Sequence, residues 1–251
     1  MIHIMGRETV PEMQCLDDVR EALDFGMDVY LGAFLAKPLG IALCDSVIYN
    51  MEYLHDNAPL VRSGYLETLR RNVVIDYSRE NIRYLTQRGI DAFYLPYGYH
   101  AGLERMAPAE KTVDVLFVCT THHPRRKALL ERLAGRCNLV VATGAYGVEL
   151  DRLVSRAKVH LNFHHAEGQP LEVVRINYLM ANHCNVVSEP GSDYGLNAQY
   201  APGLRFANYD GMINACLRAL DEPKDGNETI KRMPQDCFAA NEWARNKLCQ
   251  P

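Results

Sequence analysis

The chain has 251 residues, which allows one large domain or two of about 100–150. Hydrophobic residues make up 48% and charged residues 23%, a composition that supplies a core and an ordinary soluble surface. The net charge of -4 argues against a generally basic nucleic-acid binder and leaves open only a local basic groove. Eight cysteines are spread along the chain without a C-x-x-C pair, which speaks against a zinc ribbon and for a reducing compartment. The first ten residues lack a basic stretch followed by a long apolar run, so no secretory signal is read there. Nothing approaches the ~18 apolar residues of a membrane span, and the expected location is the cytosol.

Residues 2–5 read as a strand, with Gly6-Arg7-Glu8 at its end. Residues 11–25 read as a helix: Pro11 suits its first turn, Met13, Leu16, Val19 and Leu23 keep helical spacing, and Gly26 ends it. Strands follow at 27–34 and 46–49, the second running into Asn50, Met51, Glu52 and Tyr53. A helix at 65–71 leads to a strand at 72–76. Ser78 caps a helix that runs to about residue 88 and stops at Gly89. The strand at 91–95 ends in Pro96-Tyr97-Gly98-Tyr99. Such alternation means an α/β domain with a parallel sheet. The polar segment 102–112, with Pro108, reads as an interdomain linker, dividing the chain at 1–106 and 107–251.

The pattern restarts with a strand at 113–119, a helix at 124–134, a strand at 139–142 and a helix at 147–156. A strand at 158–163, a polar loop at 164–170, a helix at 172–181 and a strand at 184–188 then form a βαβ unit. Its loops are crowded with Asn162, His164, His165, Glu167, Gln169, Glu172, Arg175, Ser188 and Glu189, where an α/β sheet has its ligand crevice. A short strand at 204–206, a helix at 209–220 and a helical tail at 230–248 with the sole tryptophan, Trp243, complete the chain. The fold class is therefore α/β, two Rossmann-like halves with a cleft between them.

Two polar clusters carry candidate chemistry. Residues 120–127 place Arg125, Arg126 and Lys127 at a helix N-terminus, where cations oppose the helix dipole unless an anion binds there; a solvated basic turn is the alternative. In the βαβ unit, Glu172 and Arg175 are spaced i, i+3, so both can face the crevice. The carboxylate suits a ribose diol and the guanidinium a phosphate; a helix-stabilising Glu–Arg pair is the alternative. Glu189 adds a second carboxylate at the next strand end. The pairs His122-His123 and His164-His165 lack metal-helix spacing, and no D-x-D motif occurs, so no metal is expected. A hydrogen bond from His164 to phosphate or sugar is preferred over metal, with a structural histidine the comparable alternative. Gly144-Ala145-Tyr146-Gly147 is not G-x-G-x-x-G and no GK[ST] loop exists, which removes support for NAD and ATP hydrolysis. The first half offers strand-end residues Glu8, Asn50, Glu52, Asp76, Tyr77 and Tyr99; Glu8 and Glu52 are the first choices for a general base.

The order IYNMEYL, VIDYSREN, YLPYGY, then VDVLFV, PRRKALLERL, ELDRLVSRAKVHLNFHH and LEVVRINYLMANHCNVVSE resembles bacterial and phage glycosyltransferases of the two-Rossmann (GT-B) fold. The likeness covers most of residues 45–190. It implies a sugar-nucleotide donor, UDP-linked or other, held by the second half without a cofactor. The helix at 172–181 would present its N-terminus to the diphosphate, Arg125 and Arg175 would hold the phosphates, Glu172 the donor hydroxyls, and Ser188 with Glu189 would lie beside the donor. The full donor set is Arg125, Lys127, His164, Glu172, Arg175, Ser188 and Glu189. The last helix would cross back to the first half, which is short for this fold. The family's Glu-Ala-Met-Ala start and Gly-x-Pro end of the donor helix are replaced by residues 178–181 and 183–185, and Glu172 lies earlier than the family spacing. The expected activity is metal-independent sugar transfer to an acceptor hydroxyl. Phage-type relatives extend the acceptor range to a modified DNA base, for which Arg62, Arg70, Arg71, Arg79, Arg83 and Arg88 could line a groove. A sugar-nucleotide 2-epimerase and a non-catalytic nucleotide-binding scaffold are the competing readings.

Overall fold

A computed structural model of the chain describes residues 1–9, 13, 16, 17, 26–119, 122–233 and 236–249. The chain divides into two compact units, Met1–Gly98 with Pro234–Pro251, and Tyr99–Met233.

In the first unit, β1 (Ile2–Ile4), β2 (Val29–Leu31), β3 (Val47–Asn50), β4 (Val73–Asp76) and β5 (Ala92–Tyr94) form one parallel sheet in that spatial order. Helices α1 (Pro59–Arg62), α2 (Tyr65–Arg70) and α3 (Arg79–Thr86) lie between strands along the chain. The central strand β3 is buried throughout, as an apolar run without alternation requires. Ile48 and its register partner Val74 meet Leu69, Leu85 and Ile90 in one cluster. Ser78 caps α3 by accepting the Asn81 N–H, and Gly89 follows the helix at φ 70°, both as the sequence indicates. The helix expected at 11–25 lies outside the described residues apart from Met13, Leu16 and Asp17. The strand expected at 27–34 is shorter. It gives way to a 3₁₀ turn at Ala33–Leu35 because Gly32 takes φ 65°, where a Cβ would sit 3.3 Å from the Met5 carbonyl.

The second unit holds β6 (Val113–Val118), α4 (Pro124–Ala134), β7 (Leu139–Ala142), α5 (Gly147–Ser155), β8 (Ala157–Asn162), α6 (Val173–Ala181), β9 (Val186–Ser188), α7 (Tyr194–Tyr200), β10 (Arg205–Phe206), α8 (Met212–Asp221) and α9 (Asn227–Lys231). Its sheet runs β10-β9-β8-β6-β7, all parallel. Val159, Leu161 and Phe163 alternate onto one face, where Phe117, Leu129, Leu133 and Cys216 complete a core. Asn162 and its register partner Ser188 point to the other face. The sequence reading missed α7, which begins where Asp193 accepts the Leu196 N–H.

The segment expected as a free linker is not one. The Arg105 and Met106 N–H groups donate to Asn182 Oδ1 at 3.0 and 2.9 Å, and Asn182 Nδ2 donates to the Leu103 carbonyl at 2.7 Å. Residues 99–106 therefore pack with the second unit, although the sequence division assigned them to the first. The tail forms two helices where one was expected: α9, and α10 (Cys237–Leu248). α10 belongs to the first unit, with Trp243 against Phe93 at 5.5 Å between ring centroids and Lys247 paired to Asp91 at 2.9 Å. No described helix is long and apolar enough to cross a membrane.

Candidate functional site

The chain leaves β6 for β7 on one side of the second sheet and returns to β8 on the other. At such a reversal the loops beyond adjacent strand ends diverge and leave a crevice. Residues of the βαβ unit collect at the carboxyl ends of β8 and β9, and Arg125 and Arg175 join them from the first turns of α4 and α6. Asn162 Nδ2 donates to Ser188 Oγ at 3.0 Å and to Glu172 Oε2 at 2.8 Å. The other Glu172 oxygen lies 3.0 Å from His164 Nδ1, while His164 Nε2 lies 3.1 Å from the Pro190 carbonyl. Both ring nitrogens thus face acceptors, an arrangement that suits an imidazolium. Burial opposes the charge on His164, but its bonds to Glu172 and Pro190 outweigh that and raise its pKa. For Glu172 burial also opposes the charge, and the His164 and Arg175 cations with the Asn162 amide hold its carboxyl down at about 2.

Arg175 donates to Asn162 Oδ1 at 3.0 Å and reaches Cys119 Sγ at 3.7 Å; among the described residues it has no paired carboxylate. Arg125 is differently placed. It makes a two-pronged ion pair with Glu189, donates to the His164 carbonyl at 2.7 Å, and stacks 4.1 Å over the Tyr209 ring. Glu189 also accepts the His164 N–H at 3.1 Å. The guanidinium that the sequence offers to a phosphate is therefore already neutralised, with side chains only 18% and 11% exposed. Arg126, the second cation of that cluster, is buried and donates to the Phe163 carbonyl at 3.3 Å. Lys127 stands outside the cluster: it is 72% exposed and lies 3.8 Å from Glu131 one turn along α4.

The N-terminus of α6 has no side-chain cap, because Glu172 at the cap position turns its carboxylate to His164 and Asn162. The Val173 N–H donates to the Leu171 carbonyl at 2.8 Å, which leaves the N–H groups of residues 174 and 175 for an anion. The loop after β9 is fitted against the loop before α6: a Cβ on Gly191 would lie 2.3 Å from the Leu171 nitrogen, so only glycine permits this approach. Gly144 and Gly147 take left-handed φ values of 71° and 54° where the chain enters α5. Among the described residues no three His, Cys, Asp or Glu side chains gather as a metal site; the His123 and His165 rings pack at 4.7 Å.

Within the first unit the two expected bases differ. Glu8 is 86% exposed and paired with Arg7 at 3.1 Å. Glu52 is half-buried beyond β3, its carboxylate has no hydrogen bond or ion pair among the described residues, and burial raises its pKa. Beside it lies a network that the sequence reading did not assemble. Asp76, fully buried, accepts from Asn50, the Ser78 N–H and Asn81, and Tyr65 donates to Asn50. Asn50 and Asp76 are strand-end residues in the sequence, but Asn81 and Tyr65 sit inside helical patterns that gave no signal. Of the six arginines considered for a DNA groove, Arg70 pairs with Glu67 and Arg88 with Asp56, and Arg79 stacks on Tyr94 at 3.9 Å.

No known family profile matches the sequence. An uncharacterised protein, L140 of Acanthamoeba polyphaga mimivirus, is 28% identical over 171 residues, which is 64% of this chain and 55% of that protein. The chain spans about half the length of this curated relative. Among solved structures, TarM superposes with a TM-score of 0.56 at 12% identity, covering 96% of this chain and 58% of that one. AviGT4, a glycosyltransferase involved in avilamycin A biosynthesis, gives 0.54 at 14% identity, covering 96% and 90%. T4 phage BGT in complex with UDP and Mn²⁺ gives 0.52 at 11% identity, covering 92% and 85%. These likenesses define the fold: the chain is an α/β protein with two parallel sheets whose fold matches that of GT-B glycosyltransferase structures.

Proposed function

We propose that the protein is a glycosyltransferase that moves a sugar from a nucleoside-diphosphate sugar to an acceptor hydroxyl. One observation carries the reading: Arg175, in no ion pair among the described residues though close enough to Glu172 to lower its pKa, stands with the side-chain-uncapped N-terminus of α6 at the chain reversal of the second sheet. A guanidinium and the N–H groups of residues 174 and 175 make an anion site of the kind a diphosphate needs. Ionised Glu172, bound through one lone pair on each oxygen, keeps capacity for donor hydroxyls. Arg125 and Glu189 act as a frame for the His164 backbone. The similar structures, a glycosyltransferase and a UDP complex among them, agree with this class.

In the reaction the acceptor oxygen attacks the anomeric carbon as the bond from that carbon to the diphosphate oxygen breaks. The leaving diphosphate is stabilised by Arg175 and the α6 N-terminus, charge stabilisation placed where charge develops. The acceptor proton passes to a general base; within the first unit the candidate is Glu52, whose carboxylate has no hydrogen bond or ion pair among the described residues and whose pKa burial raises. No further cofactor enters this scheme.

The test is product analysis with UDP-, GDP-, ADP- and dTDP-glucose, each supplied alone and with candidate acceptors. Release of nucleoside diphosphate with a new glycoside supports transfer. Conversion of one nucleotide sugar into another without acceptor would make the protein an epimerase. Binding without turnover under any acceptor would make it a scaffold.

A further inference from the structure

His164 is 2% exposed, and its ring lies between two acceptors: Glu172 Oε1 at 3.0 Å from Nδ1, and the Pro190 carbonyl at 3.1 Å from Nε2. Its main chain is pinned as well, the N–H by Glu189 at 3.1 Å and the carbonyl by Arg125 at 2.7 Å. A neutral imidazole carries one N–H, so it would set a bare nitrogen against either the carboxylate or the carbonyl. Only the imidazolium gives a proton to each. Burial opposes that charge, yet the bonds to Glu172 and Pro190 leave the pKa above the ordinary 6.5.

The proton matters beyond the ring. His164 is the ion-pair partner of Glu172. The other Glu172 oxygen accepts from Asn162 Nδ2 at 2.8 Å, and Asn162 Nδ2 also donates to Ser188 Oγ at 3.0 Å. Ser188 gives its own proton to the Glu189 carbonyl at 2.8 Å, so it can only accept from Asn162. With its N–H₂ so engaged, Asn162 turns Oδ1 the other way, where it accepts from Arg175 at 3.0 Å. A chain of bonds thus runs from Pro190 through His164, Glu172 and Asn162 to Arg175. The imidazole is its one member whose proton count changes near neutral pH. The charged and titratable groups around it are Glu172 and Arg175 at the start of α6, Glu189 after β9, Arg125 on α4, His165 next in the chain, and Cys119, 3.7 Å from Arg175. Arg125 and Glu189 neutralise each other, and burial with the Arg126 charge keeps His165 neutral. Glu172 then stands against Arg175 and His164, which leaves one cation in excess with the proton and none without it.

We infer that His164, as an imidazolium, is a positioning residue of the donor site: it ties the loop after β9 to Glu172 and sets Arg175 through Asn162, so nucleoside-diphosphate binding weakens when its proton leaves. This rests on the glycosyl-transfer reading above. The sign follows from linkage: the benefit of a proton held more tightly in the organised site is present at low pH and lost as pH rises through the raised pKa.

The experiment uses the full chain labelled with ¹⁵N, unaltered and as His164→Gln. The His164 ring nitrogens, the Asn162 side-chain amide and the Arg175 Nε–H are followed by NMR from pH 6 to pH 9.5. Affinity for UDP, GDP, ADP and dTDP is measured by calorimetry at pH 7 and pH 9, where a terminal phosphate with a second pKa of ~6 stays charged. Both ring nitrogens should show imidazolium shifts at pH 6 and titrate with a midpoint above 6.5, and the Asn162 and Arg175 signals should share that midpoint. The unaltered protein should lose affinity about tenfold between pH 7 and pH 9. His164→Gln should bind about tenfold more weakly at pH 7 and fall no more than about twofold further by pH 9. Any titration of Cys119 is common to both proteins and cancels in the comparison. A single bare ring nitrogen at pH 6, Asn162 and Arg175 signals that ignore the ring, or equal pH dependence of affinity in both proteins overturns the inference. Should His164→Gln fail to fold, Glu172→Gln takes its place: the His164 midpoint should drop by about one unit or more, and an unmoved midpoint overturns the inference equally. If the unaltered protein binds no nucleotide of the panel, the glycosyl-transfer reading fails. The ring, amide and guanidinium signals, read without ligand, still decide whether His164 sets Arg175.

Discussion

Arg125→Met tests whether the Arg125–Glu189 pair is a structural frame. Methionine keeps apolar volume over Tyr209 and deletes the guanidinium. The change removes both contacts to Glu189 and the 2.7 Å bond to the His164 carbonyl. Glu189 would keep one donor, the His164 N–H at 3.1 Å. Breaking one side of a buried ion pair costs ~3–5 kcal/mol; with side chains 18% and 11% exposed, residual solvent lowers the expectation to about 3 kcal/mol. For a chain of this length that corresponds to a fall in Tm of roughly 6–12 °C. Glu189→Leu alone strands the guanidinium similarly, whereas the double variant removes both charges together. Urea melts followed by circular dichroism of the two single variants and the double variant give the coupling energy, expected at about 2 kcal/mol or more. Additive losses, or a loss below ~0.5 kcal/mol for Arg125→Met, would refute the frame and return Arg125 to the pool of free phosphate ligands.

Arg175→Ala should weaken nucleoside-diphosphate binding by ~10- to 100-fold, the worth of one charge-assisted contact, with little change in the urea midpoint; calorimetry reads it. Asp76 titrates high, at about 7, chiefly from burial, against 3.8 in the unfolded chain. Its contribution to stability is present below pH 3.8 and lost as pH rises through 7. The stability advantage of the unaltered protein over Asp76→Asn should therefore shrink by ~2–3 kcal/mol between pH 5 and pH 8, and an unchanged or growing advantage in urea melts refutes the assignment. Glu172, held at about 2 by His164 and Arg175 against burial, works in the opposite sense: its contribution is present above 4.5 and lost as pH falls through 2. His164→Gln should weaken that acid-side dependence, as acid melts of the two proteins would reveal. If the first-unit arginines read DNA, a duplex gel shift should weaken steeply with salt; the partners held by Arg70, Arg79 and Arg88 predict no salt-sensitive shift.

The α/β class was legible because β3 and β6 are largely apolar, because β8 alternates Val159 and Leu161 with polar residues, and because Ser78, Gly89 and Pro124 punctuate the chain at helix ends. Strand-end polar residues were legible for the same reason: once β8 and β9 are placed, Asn162 and Ser188 must end them. Their partnerships were not. Nothing local reveals that Arg125 will spend its charge on Glu189, 64 positions away, or that Lys127 will point outward one residue past Arg126. The division near residue 98 was hidden because a single side chain, Asn182, binds residues 103–106 across more than 70 positions. The break between α9 and α10 carried signals in the sequence, Pro234 and the capping Asp236, that the reading of one continuous helix passed over. The Asp76 network was half visible: two members end strands, and two lie in helices where Asn and Tyr carry no marker.

The central claim is that the second unit holds a nucleoside diphosphate at Arg175 and the N-terminus of α6. Isothermal titration of the unaltered protein with UDP, GDP, ADP and dTDP in the presence of EDTA tests it most directly. The account expects saturable binding of at least one of these, weakened ~10- to 100-fold in Arg175→Ala and retained in Glu52→Gln. Binding of none, or binding of equal strength in Arg175→Ala, would contradict it.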